Sequence, residues 1–321
     1  MPYRFDDGEA VPVALRRCAR EQLEGALHEL TEEVESDPVK AVHEARKSLK
    51  KERSLLRLGR ATLDRAQRRR ENESFRDAGR RLSGARDADV MLQALDAISD
   101  RYSGQVPKTS FDAVRERLAA QREAARAALV ASESIGLASE ELRSALQRTD
   151  AWRLRRGGWK AIAPGLSRSY KRGRKAFKRA RGGPSTENLH EWRKRCKDLW
   201  YHLRLLSSAA PETMEGHAGD AHRLSELLGD DHDLAVLRQA VAALEAEVAV
   251  DVGPLFRLID HRREQLQTQA WLLGERLYAE KPSAFLRRLH RYWKAWRAET
   301  KAMLDDKPVE LANLTRHPAA A

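Results

Sequence analysis

The chain has 321 residues, and its 60 Lys and Arg exceed its 48 Asp and Glu to give a formal net charge of +12. This surplus favours a polyanionic partner such as nucleic acid, anionic lipid or a phosphate polymer, without choosing among them. The two cysteines, Cys18 and Cys196, lie far apart, which argues against a disulfide framework or a cysteine zinc site and favours a reducing compartment. Neither a signal-peptide pattern nor an apolar run of about 18 residues is present, so we expect a cytoplasmic protein without a membrane span.

Apolar residues recur at intervals of three and four along most of the chain, which predicts an all-α fold. "SDP" at 36–38 predicts an N-cap followed by Pro at the first helical position, and "GGPST" at 182–186 predicts a similar start. We predict ten helices, over 12–35, 38–62, 68–98, 109–131, 139–150, 164–180, 185–209, 214–247, 254–279 and 283–304.

One basic stretch occurs twice. "AVHEARKSLKKERSLLRLGR" covers 41–60, and "NLHEWRKRCKDLWYHLRLL" covers 188–206. At an offset of 147, eight of the sixteen positions in 43–58 are identical to those in 190–205. A long internal period of this kind predicts a duplicated architecture. We therefore expect two antiparallel helical bundles of about four helices each, related by a pseudo-two-fold duplication. Their predicted bounds are 10–135 and 163–305, with a connecting segment at 136–162 and a flexible tail at 306–321.

The order of residues in this stretch separates charge from core. With about 100° per residue, the basic side chains of the first copy fall within roughly 120°, and its leucines fall on the opposite side. The second copy repeats the pattern, with Tyr201 among its cations. Like charges at i,i+4 destabilise a helix, and we expect Glu44 and Glu52 to point away from the basic face. The sequence therefore predicts that this face meets an anion.

Two further basic helices precede the histidine helices, and they carry Arg16 and Arg20 in the first half. If each packs beside its histidine helix, the pair forms a basic trough, and two such troughs could join into one groove. Within it, Arg would bind phosphate through two parallel hydrogen bonds and Lys would act as a point charge. An imidazole near a polyanion favours its charged form and can donate from both nitrogens.

Two other functions remain open. The segment "LGDDHDL" at 228–234 contains the His-Asp pair of metal-dependent phosphohydrolases, and His217 and His222 lie nearby in sequence. The matching first segment, "GARDADV", has no histidine, so we favour a structural role in which these aspartates cap a helix or pair with Arg near a helix break. A nucleic-acid-binding protein would carry aromatic or amide side chains among its cations, and the basic stripes offer few, Tyr201 and Tyr170 among them.

The two histidine segments resemble the paired signatures of the CHAD family, the conserved histidine α-helical domain, and "LGDDHDL" resembles its short acidic turn. The resemblance covers roughly residues 10 to 305 and implies two four-helix bundles that bind inorganic polyphosphate in a basic groove, without catalytic activity. Some members of the family are fused to a triphosphate-hydrolysing CYTH domain and others occur with polyphosphate or polyhydroxyalkanoate granules; because the chain lacks an "ExExK" strand signature, we expect the standalone form.

Carried over by position, this resemblance implies polyphosphate ligands in both halves, with no catalytic residue, metal or cofactor. The central ligands would be His43, Arg46, Lys47, Lys50 and Arg57 in the first half, and His190, Arg193, Lys194, Lys197 and Arg204 in the second. Outer contacts would come from Arg16, Arg20, Lys171, Arg174, Lys175 and Lys178.

Overall fold

The computed structural model describes residues 3–105, 108–245 and 250–305. Within these ranges the chain forms helices joined by short loops, with one isolated β-bridge between Leu63 and Leu154, so the all-α prediction is confirmed. The predicted tail at 306–321 lies outside the described residues. The helices are α1 (Val11–Thr31), α2 (Pro38–Leu58), α3 (Arg65–Arg81), α4 (Ala85–Arg101), α5 (Lys108–Ala131), α6 (Ser134–Asp150), α7 (Gly158–Gly182), α8 (Thr186–Leu205), α9 (Pro211–Leu244), α10 (Gly253–Leu277) and α11 (Pro282–Asp305).

In the part of the chain that the structure describes, no helix combines the length and the apolar composition needed to cross a lipid bilayer.

One predicted helix is wrong. We expected a continuous helix over 68–98, and the structure instead ends α3 at Arg81 and begins α4 at Ala85. Gly84, the N-cap of α4, has a φ of 119°, a conformation that glycine adopts without steric cost. The "SG" at 83–84 was therefore a turn signal inside an apparently periodic segment.

The predicted starts of both histidine helices are confirmed. The Asp37 side chain accepts a hydrogen bond from the backbone N–H of Lys40, at 3.1 Å, and Pro38 stands at the first helical position of α2. The Ser185 hydroxyl oxygen accepts from the backbone N–H of Asn188, at 3.3 Å, and caps α8. Each cap satisfies a helical donor that would otherwise lack a partner and fixes where the basic helix begins.

The apolar residues form two hydrophobic cores, and both draw on the two predicted halves of the chain. The larger core joins α1, α2, α3 and α6 to α7, α8 and α11. The smaller core joins α4 and α5 to the second part of α9 and the first part of α10. The long helices α9 and α10 run through both cores. The boundary predicted between 135 and 163 is thus not a boundary between cores, and the internal duplication stays a prediction.

The N-terminal segment before α1 is held by elements from the far end of the chain. The backbone N–H of Phe5 donates to the carbonyl of Leu205 at 2.9 Å, and the Ser208 hydroxyl donates to the carbonyl of Phe5 at 2.8 Å. From α11, the indole N–H of Trp296 donates to the Asp7 carboxylate at 2.7 Å. Residues 3–9 are therefore a strap across α8 and α11.

Helix α7 crosses the end of α2 at very close range, and a glycine makes this possible. A Cβ placed on Gly165 would lie 2.6 Å from the carbonyl oxygen of Arg57 and would also collide with that of Leu58. Any larger residue would force the backbones apart. The crossing brings the basic face of α7 beside the C-terminal half of α2.

Candidate functional site

The two histidine helices, α2 and α8, contact each other through their C-terminal halves. The His202 imidazole is fully buried, and its Nε2 lies 3.0 Å from the Ser54 carbonyl oxygen. The Ser54 hydroxyl donates in turn to the Asp198 carbonyl at 3.4 Å. The predicted apolar faces are buried: Leu49 is 2 % exposed, and Trp192 is completely inaccessible. Packing of these faces leaves the cations of both helices along a shared surface.

A first cavity of about 360 Å³ opens where the two basic faces meet. Cations from both helices line it, together with one imidazole, one carboxylate and one phenol. These residues are Lys50, Arg53 and Arg57 from α2, and His190, Arg193, Lys194, Arg195, Lys197, Asp198 and Tyr201 from α8. Both copies of the basic stretch therefore contribute side chains to this one cavity.

Two more basic cavities continue from the first. A second, of about 670 Å³, shares Arg53, Arg57 and Arg195 with it, and adds arginines from α3 and α7. A third, of about 980 Å³, follows α7 and shares three arginines with the second, namely Arg60, Arg168 and Arg172. We call the three together the basic groove.

Fifteen lysine and arginine side chains line the basic groove, against the two carboxylates of Asp198 and Glu191. The cations are Lys50, Arg53, Arg57, Arg60, Arg65, Arg68, Arg168, Lys171, Arg172, Lys175, Arg179, Arg193, Lys194, Arg195 and Lys197. A concave surface with charge of one sign concentrates the electrostatic field and attracts anions.

This crowding changes the acid–base properties of the lysines. Burial, and then the charge of Lys197, lowers the pKa of Lys50 to about 8. Burial, and then the charge of Arg193, lowers the pKa of Lys197 to about 8. Lys50 keeps contact with solvent although it lies deep among neighbouring atoms, so water screens part of this repulsion. Neighbouring cations thus add to the effect of burial in opposing the charged forms of both lysines.

The surroundings of His190 oppose its charged form. Burial, followed by the charge of His232, lowers the pKa of His190 to about 4. The two imidazole rings lie 4.4 Å apart, and the Nδ1 of each is buried without a hydrogen-bond partner. In the empty groove His190 is therefore neutral at pH 7, and a bound anion would raise its pKa.

A second glycine makes room for a groove arginine. A Cβ on Gly229 of α9 would lie 2.8 Å from Nη2 of Arg193. The Arg193 guanidinium therefore lies flat against the α9 backbone, with the Asp233 carboxylate 3.8 Å from its Nη1. The "LGDDHDL" segment thus supports the groove by holding Arg193.

The structure brings half of the predicted ligands to the groove. The predicted ligands that line the groove are Lys50, Arg57, His190, Arg193, Lys194, Lys197, Lys171 and Lys175. Arg46 and Lys47 lie next to the groove. After burial, the charge of Arg46 is among the causes that lower the pKa of Lys50, and the charge of Lys47 is among those that lower the pKa of Lys197. His43 lies nearer the N-terminus of α2 than Lys50. It is partly exposed and lines none of the three cavities.

The other predicted ligands lie elsewhere. Arg16 donates to the Trp152 carbonyl at 2.9 Å, and Arg20 binds both oxygens of Asp150, at 2.7 and 2.9 Å, so both hold α1 against the end of α6. Arg174 donates to the Glu280 carbonyl at 2.9 Å. Arg204 lies over the Trp200 ring at 5.5 Å. Lys178 is exposed and lines none of the three cavities.

The expectation that Glu44 points away from the basic face is wrong. Its carboxylate lies 2.7 Å from the Lys47 ammonium, and Glu191 pairs with Lys194 at the same 2.7 Å in the second copy. Both are i,i+3 pairs, whose side chains share one side of a helix. Glu52, by contrast, is fully buried away from the groove. Each basic face therefore carries one partial counter-charge at its edge.

Eight arginines of the groove are absent from the ligand set predicted from the sequence. Arg53 belongs to the basic arc of α2 but is not among the predicted ligands. Arg195 belongs to neither the basic nor the apolar face predicted for α8. Arg60, Arg65, Arg68, Arg168, Arg172 and Arg179 were also left out. A signal existed for α7, since 168, 172, 175 and 179 follow one another at intervals of four, three and four and so share a face.

The residues of the metal-site alternative occupy separate environments. His222 stacks on Trp200 with ring centroids 4.0 Å apart, and His217 lies 5.8 Å from the Phe285 ring. Asp231 is buried and pairs with Arg263 at 3.1 Å, as the structural interpretation predicts, although α9 continues without a break. In the described ranges, no three His, Cys, Asp or Glu side chains approach one another closely enough to hold a metal ion.

Comparison with solved structures finds a protein with the same fold, PptA from Streptomyces chartreusis. The similarity covers 83% of this chain and 98% of PptA, with a TM-score of 0.57 and 13% sequence identity. No curated protein sequence matches the chain. The model of the CHAD domain family matches residues 17–242, which include both histidine helices and α7, and the chain therefore belongs to the CHAD domain family.

Proposed function

We propose that this protein binds inorganic polyphosphate in the basic groove and does not cleave it. The observation that carries the proposal is the continuity of the groove: three adjoining cavities share arginines and are lined by fifteen cations against two carboxylates. A polymer with a negative charge on each phosphate matches a row of cations that has few apolar contacts to offer. Membership of the CHAD family supports the same ligand.

The length of the groove favours a polymer over a single phosphate. The first cavity follows α8 from His190 to Tyr201, and the third follows α7 from Arg168 to Arg179. At 1.5 Å per residue, each run extends about 16 Å along its helix. A chain that reaches from one cavity into the next makes its later contacts within one complex, so affinity should rise with polymer length until the groove is filled.

The lining favours polyphosphate over nucleic acid. Proteins that bind single strands without sequence preference stack bases on aromatic side chains. Besides His190, Tyr201 is the aromatic residue that lines these three cavities, and only 4% of it is exposed. The remaining lining residues are mainly lysines and arginines, which bind phosphate without reading bases.

The absence of turnover is part of the proposal, and its support comes from the groups near the groove. Both groove carboxylates are engaged: Asp198 with arginines, and Glu191 with Lys194 and Arg195. Burial raises the pKa of Cys196 to about 12, so its thiol is a poor nucleophile at neutral pH. The neutral His190 imidazole, with its pKa lowered to about 4, is a weak general base, and Lys50 and Lys197, with pKa values of about 8, are mostly protonated at pH 7.

A competition experiment tests the proposal. Labelled long-chain polyphosphate is titrated against single- and double-stranded nucleic acid at near-physiological salt, and phosphate release is followed with and without divalent metal ions. We expect tighter binding of polyphosphate, no release, and a steep loss of affinity with salt. Preferential binding of nucleic acid would overturn the ligand, and metal-dependent release would overturn the absence of turnover.

Matched variants locate the site. Arg53→Gln with Lys197→Gln removes two groove cations, and Arg16→Gln with Arg20→Gln removes two cations that hold α1 to α6. Both double variants lower the net charge by two. We expect a loss of affinity of at least about tenfold for the first and little change for the second. An equal loss in both would show that overall charge, not the groove, binds the polymer.

We further propose that the protein associates with cytoplasmic polyphosphate or polyhydroxyalkanoate granules, as the family resemblance suggests. Granules isolated from cells that make the wild-type protein should carry it, and granules from cells that make the Arg53→Gln, Lys197→Gln variant should not. Equal recovery of both would show that any granule association does not use the groove.

A further inference from the structure

Asp198 lies in the middle of the basic groove, and two groove arginines bind it. One carboxylate oxygen accepts a hydrogen bond from Nη1 of Arg57 at 3.0 Å, and the other accepts from Nη1 of Arg195 at 2.9 Å. The Asp198 side chain is 9% exposed, and it lines the first cavity. Because Arg57 and Arg195 line both the first and the second cavity, the carboxylate stands where the two cavities join.

A phosphate group at this junction needs the same donors that Asp198 uses. A guanidinium forms its strongest bonds to carboxylate or phosphate through two parallel N–H groups, and those directed at Asp198 are not available to a ligand. The carboxylate also repels an anion placed a few ångströms away. A polymer that threads from the first cavity into the second must therefore displace Asp198 or pass beside its charge.

We propose that Asp198 is a built-in counter-ion, which occupies Arg57 and Arg195 in the empty groove and limits its affinity for polyanions. This inference rests on the proposed function, because it names a residue that sets the affinity of the same groove. The Asp198 carboxylate binds both arginines at once and so offsets part of the repulsion between these two cations.

The corresponding position in the other copy of the sequence carries a cation instead of an acid. At the offset of 147, Lys51 corresponds to Asp198, and Arg204 corresponds to Arg57. Burial, and then the charge of Arg204, lowers the pKa of Lys51, so these two residues form a repulsive pair where Arg57 and Asp198 attract. Of these two corresponding residues, Asp198 lines the groove and Lys51 lines none of the three cavities.

The Asp198→Asn variant tests the inference, because it keeps the size of the side chain and one acceptor while removing the charge. We expect its affinity for long-chain polyphosphate at about 0.15 M salt to rise about tenfold. The slope of log affinity against log salt should become steeper by about one, since the released guanidinium groups then contact the polymer. Asp198→Ser, which removes the charge and most of the side chain, should show the same direction.

The control is Asp150→Asn, which makes the same charge change at the carboxylate that binds Arg20, outside the groove. Its affinity and salt slope should stay close to those of the wild type. Unchanged or weaker binding by folded Asp198→Asn and Asp198→Ser would overturn the inference and make Asp198 a group that positions the arginines for the ligand. Failure of the wild-type protein to bind polyphosphate would instead overturn the proposed function.

Discussion

Gly165 of α7 packs directly against the carbonyl oxygen of Leu58, the last residue of α2. The contact sets the distance between two helices that both supply arginines to the second cavity. Gly165→Ala should therefore push α7 away from α2, lower the free energy of unfolding by about 1–3 kcal/mol and weaken polyphosphate binding. Thermal or denaturant unfolding measures the first effect, and titration measures the second.

Gly219→Ala is the matched control for that substitution. Gly219 is an exposed residue of α9, and nothing lies within 4 Å of a Cβ built there. Because alanine favours the helix over glycine, this change should stabilise the protein by about 0.5–1 kcal/mol and leave binding unchanged. Equal stability of the two variants would mean that the close crossing of α2 and α7 is not what requires glycine.

Binding should depend on pH through Lys50 and Lys197. Their pKa values of about 8 in the empty groove lie below that of an exposed lysine, because burial and neighbouring cations oppose the charge. A bound polyanion favours the charged forms, so binding near pH 8 should take up protons, and affinity should fall between pH 7 and pH 9. Calorimetry in two buffers of different ionisation enthalpy measures this uptake.

The same two lysines also make the stability of the protein without ligand depend on pH. Stability should rise with pH, whereas affinity for the polyanion should fall. Their pKa values are lower in the folded than in the unfolded chain, so the unfolded chain binds more protons between about pH 8 and pH 10.5. Their contribution to the free energy of unfolding therefore rises with pH across this window. The Lys50→Gln, Lys197→Gln variant should lose both this rise and the proton uptake on binding, and the persistence of either would assign it to other groups.

His190 should contribute more to binding than His43. His190 lines the first cavity and carries a pKa lowered to about 4, so at pH 7 it can act as a neutral hydrogen-bond donor, whereas His43 lies outside the three cavities. We expect His190→Ala to weaken binding about three- to tenfold and the double variant with His43→Ala to add little. Unchanged affinity in the double variant would remove both histidines from the ligand set.

Gly229 and Arg193 should act as one unit. A side chain at position 229 would displace the Arg193 guanidinium from the α9 backbone, so Gly229→Ala should weaken binding in the same direction as Arg193→Gln. Because the first change acts through the second residue, the double variant should bind about as well as Arg193→Gln alone. Additive losses would show that Gly229 affects the groove by another route.

The fold class and the two basic faces could be predicted because both follow from local periodicity. The positions of Leu49 and Trp192 in the core follow from spacing along one helix, and so does the cationic arc that contains Lys50 and Lys197. Their caps, Asp37 and Ser185, are also local signals. Features that depend on three or four neighbouring residues were therefore accessible from the sequence.

Features that depend on long-range contacts were not accessible. Arg16 looked like a ligand because it is basic and near a histidine helix, yet its partner, Trp152, is 136 residues away. Arg195 lies between the faces of its own helix, and only the approach of α2 and α7 makes it part of the groove. The pairing of Arg57 with Asp198 likewise joins two helices whose relative placement no periodicity specifies.

The strap formed by residues 3–9 has a consequence for the order of folding during synthesis. These residues are translated before their partners, Leu205 and Trp296, which lie far along the chain. The strap can therefore acquire all of its native contacts only after α11 has been translated. A nascent chain that stops before residue 282 lacks Trp296, so the Asp7 carboxylate would be without the indole donor that holds the strap to α11 in the finished protein.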